Sequence, residues 1–400
     1  MKRCLIVGGS AAGMRTAAGI ARGGYDGVVT VLDADAQAPY DRTVLSTGFL
    51  TGARQAEGTV LDVPDGVEWL CGVRAQGLDL DRQVVRTDAG EFAYTDLVLA
   101  TGGVAHLPAA WQGLEGVLTL RTMHDAEVLR DAAAQAAHVV VVGGGVLGME
   151  IATSLAELGC RVDVVEADDQ PLGRVLPAAF GRHLGQRAAD HGVTLSCGVS
   201  VKSLGGAPRV DRVTLTDGRV VPTDLVVVAV GNRPATGWLA DSGLEIEDGV
   251  VCDERLQAGA PHVWVAGDLA RVRHGDGSSE RSEHWTRAGE HGTYVAQAIL
   301  GEVETGFSAL SYVWSDLLGT RVQVLGSMDF DQHLVLRSGA DGGQVAALAV
   351  QDGVLRGAAV IGWQRMAMTL RRALVQGLSP AEVLDALPPD VLRETSILHA

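Results

Sequence analysis

Glycines recur at two places in a spacing that suits backbone recognition of phosphate. The segments Leu5-Ile6-Val7-Gly8-Gly9-Ser10-Ala11-Ala12-Gly13 and Val139-Val140-Val141-Val142-Gly143-Gly144-Gly145-Val146-Leu147-Gly148 each lead from an apolar run, through a glycine-rich turn, into a helix-like run. A buried parallel strand that turns into a helix at such a point aims backbone N–H groups at a pyrophosphate. In the first turn Ser10 stands where the fingerprint has its second glycine, and it adds a hydroxyl while still letting the backbone approach the ligand. Two such turns in one chain predict two dinucleotide sites, one for a resident cofactor and one for a diffusible one. That pairing points to a flavoprotein.

Carboxylates follow both turns. Asp33 or Asp35, about 20 residues beyond Gly13, is placed to accept from ribose hydroxyls. Glu166 holds the matching position in the second unit, where a carboxylate repels a 2'-phosphate. Ala167, Asp168 and Asp169 follow, with no arginine before Arg174, so NADH is favoured over NADPH. Glu150 lies just past Gly148 and has two readings, a group facing the nicotinamide or an acidic residue that favours the helix dipole. Cys4, Cys71, Cys160, Cys197 and Cys252 are scattered and form no C-x-x-C pair, so neither a disulfide framework nor a metal site is expected.

The elements that must carry these residues repeat a plan. Leu5–Val7, a helix over about 13–22 and a strand over 27–32 make one βαβ unit; 139–142, a helix over about 147–158 and 161–165 make another. Runs at 67–73, 83–87 and 97–100, and later at 193–199, 210–216 and 225–230, read as strands. Leu97-Val98-Leu99-Ala100-Thr101-Gly102 and Val226-Val227-Val228-Ala229-Val230-Gly231 both end an apolar strand on a glycine turn. Periodicity fades over 108–121, which marks a crossing between domains. Val263-Trp264-Val265-Ala266-Gly267-Asp268 is a further buried strand, followed by a helix over about 286–300. Beyond Ser308 the chain alternates as strands at 322–325, 334–336, 345–350 and 355–361, then a helix near 364–376. The expected fold class is α/β: two Rossmann-like dinucleotide-binding domains, the first over 1–110 and 236–305 and the second over 111–235, plus a C-terminal α+β domain over 306–400.

Composition narrows the partners. The net charge of −17 argues against nucleic acid and against an anionic membrane surface. No run reaches the roughly 20 apolar residues of a membrane-spanning helix. Arg15 interrupts the one N-terminal stretch that imitates a signal peptide. The unpaired cysteines fit a reducing cytoplasm.

Taken in order, Gly8 to Gly13, Pro39-Tyr40-Asp41-Arg42 with Leu45-Ser46, Ala100-Thr101-Gly102, Gly143 to Glu150, Gly231-Asn232-Arg233-Pro234 and Ala266-Gly267-Asp268 resemble the FAD-dependent pyridine nucleotide-disulfide oxidoreductases. Glu283-His284-Trp285 and Val313-Trp314-Ser315-Asp316 resemble, within that superfamily, ferredoxin reductases of putidaredoxin reductase type. The resemblance spans essentially the whole chain. It implies a glutathione reductase-like fold, FAD at the first turn and NADH at the second, and electron transfer to a small iron-sulfur ferredoxin serving a P450 or a Rieske oxygenase.

By the same resemblance Ala12, Arg42, Val73, Arg121, Asp268 and Trp285 contact FAD. Asp268 holds the ribityl chain, Arg42 and Arg121 offset pyrophosphate charge, and Val73 meets the adenine through its backbone. Trp285 and Trp314 stand beside the isoalloxazine ring.

One departure stands out. The family has a lysine after the Leu-Ser pair, near the flavin N5 and paired with the glutamate at Glu150; this chain has Thr47. Glu150 is therefore expected to be unpaired, with a raised pKa on burial, and Glu150 and Thr47 become the residues that decide how NADH reduces the flavin. The loss leaves open a flavin oxidase or reductase that acts directly on a small molecule, and a nucleotide-sensing flavoprotein. The protein is expected as a monomer or a homodimer.

Overall fold

The computed structural model describes residues 1–330, 332–339, 343–387 and 394–399. These divide into two units, one of 1–43, 55–104 and 232–309, the other of 44–54, 105–231 and 310–400.

In the first unit, valine- and leucine-rich runs are buried on both faces, as a parallel sheet covered by helices requires. β1 (Lys2–Val7) is central, flanked by β2 (Gly27–Asp33) and β4 (Asp96–Leu99), with β3 (Val67–Cys71) and β10 (Val263–Val265) at the edges, all parallel. Ile6, Val31, Leu97, Leu99 and Val265 are fully buried in its core. α1 (Ala11–Arg22) packs against α5 (Trp285–Leu300) through small residues. A Cβ on Gly292 would collide with Ala12 O, so the two helices meet at backbone distance. Thr16 Oγ1 donates to Ala12 O at 2.9 Å and to Gly292 O at 3.2 Å across that seam.

The second unit repeats the plan. β6 (His138–Val142) is central, between β7 (Arg161–Val165) and β9 (Leu225–Val228), with β8 (Val193–Ser196) and β5 (Val117–Leu118) outside them, all parallel. α3 (Val146–Glu157) leaves the end of β6. In each sheet the central strand, β1 or β6, has neighbours on both sides, so its C-terminal end opens at a topological switch point, where such sheets bind ligands.

This unit also holds an antiparallel sheet in the order β11 (Tyr312–Leu317), β12 (Thr320–Gly326), β15 (Val354–Ile361), β14 (Gln344–Gln351), β13 (Gln332–Ser338), β16 (Glu394–His399). α6 (Gln364–Gln376) buries Met366, Ala367 and Leu370 against it. Two parallel sheets and one antiparallel sheet agree with the expected class.

Three helices are not announced by apolar periodicity, a six-residue one over Pro380–Asp385 among them. α2 (Met123–Ala133) is short and fixed by its ends: Thr122 accepts from Asp125 N, and Asp125 accepts from Thr122 N at 2.8 Å. α4 (Gly181–Asp190) buries only Leu184 and Ala188, too few for a visible stripe. Among the described residues no helix is long and apolar enough to cross a membrane.

Candidate nucleotide sites and a buried carboxyl

The two glycine turns are built alike, bond for bond. Gly8 N donates to Leu32 O and Gly143 N to Val165 O, both at 2.8 Å; Ala100 N donates to Val7 O and Ala229 N to Val142 O, again at 2.8 Å. Gly8 and Gly143 have φ of +109° and +105°, a region that only glycine enters at little cost. A Cβ on either would strike the carbonyl of Ala100 or Ala229, and a Cβ on Gly13 or Gly148 would strike the carbonyl of Gly8 or Gly143. The turns are thus closed by backbone contacts that leave no room for a side chain.

The helices that follow begin with unsatisfied donors. Ser10 is the N-cap of α1, but its hydroxyl makes no capping bond, and the first turn contains no acidic residue. Gly145 is the N-cap of α3, also without an acid in the first turn, and a Cβ there would meet nothing within 4 Å. By contrast α2 and α7 (Pro380–Asp385) are closed by capping boxes. Free N–H groups and an uncompensated dipole are the donor set that a pyrophosphate takes. Glu150, five residues into α3, lies outside the first turn, so the helix-dipole reading of it loses its basis.

Each turn has a carboxylate over its second glycine. Glu166 accepts from Gly144 N at 2.5 Å and from Asp168 N at 2.8 Å, which fixes both oxygens. Asp33 sits over Gly9, where a Cβ would strike its carboxylate, and it accepts from Asp35 N at 3.1 Å. Burial raises the pKa of Asp33, with the Arg42 charge opposing. Asp35 is engaged elsewhere, accepting from Tyr40 Oη at 2.7 Å and Gln37 N at 3.2 Å. Arg42 lies over the Tyr40 ring at 5.6 Å, and Val73 N donates to Asp33 O at 2.9 Å.

At the other end of the first unit, Gly267 and Asp268 follow β10, and Trp285 opens α5 with 42% of its surface exposed. Ala235 N donates to Gly102 O at 2.9 Å and Thr101 Oγ1 to Ala235 O at 3.2 Å, which ties down the turn after β4. Two residues absent from the sequence-based site belong here. Arg281 donates to Asp268 O at 3.2 Å and to Asp248 Oδ2 at 3.1 Å. Asn232 Nδ2 donates to Asp268 Oδ2 at 3.4 Å, while its Oδ1 is buried and has no donor among the described residues. A buried carbonyl oxygen without a donor costs free energy unless a ligand supplies one. The open helix N-terminus, the carboxylate over Gly9 and this orphaned oxygen all fit a dinucleotide such as FAD. Arg121, Thr47, Gly231 and Trp314 lie in the second unit. There Arg121 N donates to Asp125 in the cap of α2, His106 N donates to Gly231 O, and Trp314 carries the Arg321 guanidinium at 4.8 Å from its ring centre.

Glu150 is not unpaired. Ser46 Oγ donates to its Oε2 at 2.6 Å and Ser315 Oγ to its Oε1 at 2.5 Å. Both serines are buried, at 3% and 2% exposure. Burial raises the pKa of the carboxyl, and Asp316 adds to the rise while both hydroxyls oppose it. The expected upward shift stands, but hydroxyls occupy the place expected to lack a partner. Among the described residues Thr47 makes no bond to Glu150: its hydroxyl donates to Val44 O at 3.5 Å. Residue type could not reveal these serines, because they lie 104 and 165 positions from Glu150.

The family comparison agrees with this architecture. The model of the pyridine nucleotide-disulphide oxidoreductases matches residues 2–292, and that of the reductase C-terminal domain matches 312–395. The chain belongs to the pyridine nucleotide-disulphide oxidoreductase family.

Among its relatives, the ferredoxin–NAD(+) reductase subunit of the benzene 1,2-dioxygenase system of Pseudomonas putida is 30% identical over 397 residues, covering 98% of this chain and 95% of that one. The rubredoxin–NAD(+) reductase of Ectopseudomonas oleovorans is 32% identical over 342 residues, covering 83% and 88%. Among solved structures, a ferredoxin reductase from Rhodopseudomonas palustris superposes with a TM-score of 0.91 at 27% identity, over 96% of this chain and 98% of that one. The covalent putidaredoxin reductase–putidaredoxin complex gives 0.88 at 25% identity, over 97% of each chain.

Proposed function

We propose that the protein is an FAD-dependent NADH:ferredoxin reductase that passes electrons from NADH to a small iron-sulfur protein serving a P450 or a Rieske oxygenase. The observation that carries this reading is the pair of matched turns, each with an open helix N-terminus and a carboxylate locked over its second glycine. Relatives of matching length that are ferredoxin and rubredoxin reductases support it.

In this reading residues 1–110 and 236–305 bind FAD, 111–235 bind NADH and 306–400 form the C-terminal domain. When bound, FAD supplies the redox chemistry, accepting a hydride from NADH and releasing electrons singly. The protein's own part is to bind and orient. The N–H groups of α1 hold the FAD pyrophosphate with Arg42, Asp33 takes the ribose hydroxyls, and Asp268 holds the ribityl chain. The N–H groups of α3 hold the NADH pyrophosphate, and Glu166 takes its ribose and rejects a 2'-phosphate. Glu150, held by two serines, orients the nicotinamide. Trp285, part-exposed at the start of α5, stands beside the flavin ring. The free cysteines fit a cytoplasmic setting.

The test is reconstitution with FAD, followed by steady-state transfer from NADH and from NADPH to a [2Fe–2S] ferredoxin. Transfer with NADH preferred is expected. Flavin turnover that requires a small organic substrate, with no reduction of ferredoxin, would replace this reading with a substrate-specific flavoenzyme.

A further inference from the structure

Three polar residues share one face of α3, and each is spent on another segment of the second unit. Glu150 accepts from Ser46 and Ser315. Thr153 Oγ1 accepts from Leu318 N at 3.1 Å, and Ser154 Oγ donates to Ser46 O at 2.7 Å. The segment 44–54 is thereby fixed at Ser46 through both side chain and carbonyl. The β11–β12 hairpin is fixed at Ser315 and at its Leu318 turn, where Arg187 of α4 also donates to Leu318 O at 2.8 Å. Each carboxylate oxygen of Glu150 has one short hydroxyl donor, from opposite directions along the chain. A carboxyl held this way has one orientation, because turning it breaks two strong hydrogen bonds at once.

We infer that Ser46 and Ser315 are positioning residues, which set the Glu150 carboxyl in the orientation that NADH requires without adding charge beside it. The inference rests on the reductase reading above. Its test uses the FAD-loaded protein and four forms: wild type, Ser315→Ala, Glu150→Ala and the double variant. Flavin bleaching by NADH is followed anaerobically over a range of NADH concentrations.

Ser315→Ala is expected to slow the limiting rate about tenfold, the worth of one hydrogen bond to a charged group, with the half-saturating NADH concentration unchanged. Ser315→Thr, which keeps the hydroxyl, recovers most of the rate, and Ser46→Ala behaves like Ser315→Ala. In the Glu150→Ala background the serine substitution has no further effect, the signature of a residue that acts through another. An equal loss in both backgrounds, or no loss in either, overturns the inference. Wild-type flavin that NADH fails to bleach counts against the reductase reading instead. The coupling is then read from the absorption spectrum of the bound flavin in the same four proteins, where additive shifts overturn it and non-additive shifts sustain it.

Discussion

Ser315 Oγ donates to Glu150 Oε1 at 2.5 Å, joining the first strand of the C-terminal sheet to the helix that follows the second glycine turn. With Ser46 on the other oxygen, the carboxyl is satisfied by neutral donors. Burial therefore decides its titration, because neither donor supplies a positive charge to outweigh it.

A pH dependence follows. The pKa of Glu150 is raised in the folded protein above its ordinary 4.5, so the stabilisation associated with its protonated form is complete below the ordinary carboxylate range. That stabilisation is lost as pH rises through the folded value. Glu150→Gln removes this component. Urea unfolding across a pH series should show the wild type losing stability relative to Glu150→Gln as pH rises above about 4.5, the ordinary value for a glutamate. Parallel profiles would mean that Glu150 titrates alike in both states.

In the proposed function Glu166 sets the choice of nucleotide. Its two oxygens are fixed by Gly144 N and Asp168 N, which aims the carboxylate at one place. Glu166→Ala should lower kcat/KM for NADH about tenfold, the worth of a charged hydrogen bond, and raise it for NADPH by removing the repulsion of the 2'-phosphate. Steady-state kinetics with both nucleotides checks the ratio. An unaltered preference would remove Glu166 from recognition.

Glycines within one turn separate into structural and binding roles. A Cβ on Gly148 would collide with Gly143 O, whereas one on Gly145 meets nothing within 4 Å. Gly148→Ala should destabilise the protein by about 1–3 kcal/mol, the usual cost of overpacking. Gly145→Ala should leave the unfolding midpoint nearly unchanged while raising the KM for NADH, because the methyl stands over the helix N-terminus. Thermal unfolding and NADH saturation distinguish the two; a stable Gly148→Ala would contradict the assignment.

Asn232 tests the first site. Its amide reaches Asp268 Oδ2 at 3.4 Å, and its Oδ1 has no donor among the described residues. Asn232→Ala should weaken FAD binding about tenfold, by the worth of one or two hydrogen bonds, without unfolding the apoprotein. Fluorescence titration of apoprotein with FAD measures it, and unchanged affinity would show that the oxygen faces no ligand.

Much of this architecture is legible in sequence because it depends on local rules. Gly8, Gly13, Gly143 and Gly148 are required by backbone geometry within a few residues, and Asp33 and Glu166 by the strand ends they occupy. The valine runs mark buried parallel strands, and α1, α3, α5 and α6 fall within two residues of their expected bounds. What sequence did not reveal is non-local. Ser46, Ser315 and Asn232 lie in segments that carry the family resemblance, but their bonds to Glu150 and Asp268 exist only once folding brings these residues together. α2 is hard to see in sequence because its buried face, Met123, Ala126, Leu129 and Ala133, is half alanine, while its Thr122–Asp125 cap is the clearer sign. Thr47 marks a missing charge, and the donors to Glu150 are its neighbour Ser46 and Ser315 on a strand far along the chain.

The most direct measurement of the central claim is an anaerobic stopped-flow experiment on the FAD-loaded protein, mixed first with NADH and then with oxidised [2Fe–2S] ferredoxin. Rapid bleaching of the flavin band by NADH is expected, followed by its return as the ferredoxin is reduced. A flavin that stays oxidised in NADH, or that is bleached and then passes no electrons to the ferredoxin, would contradict it.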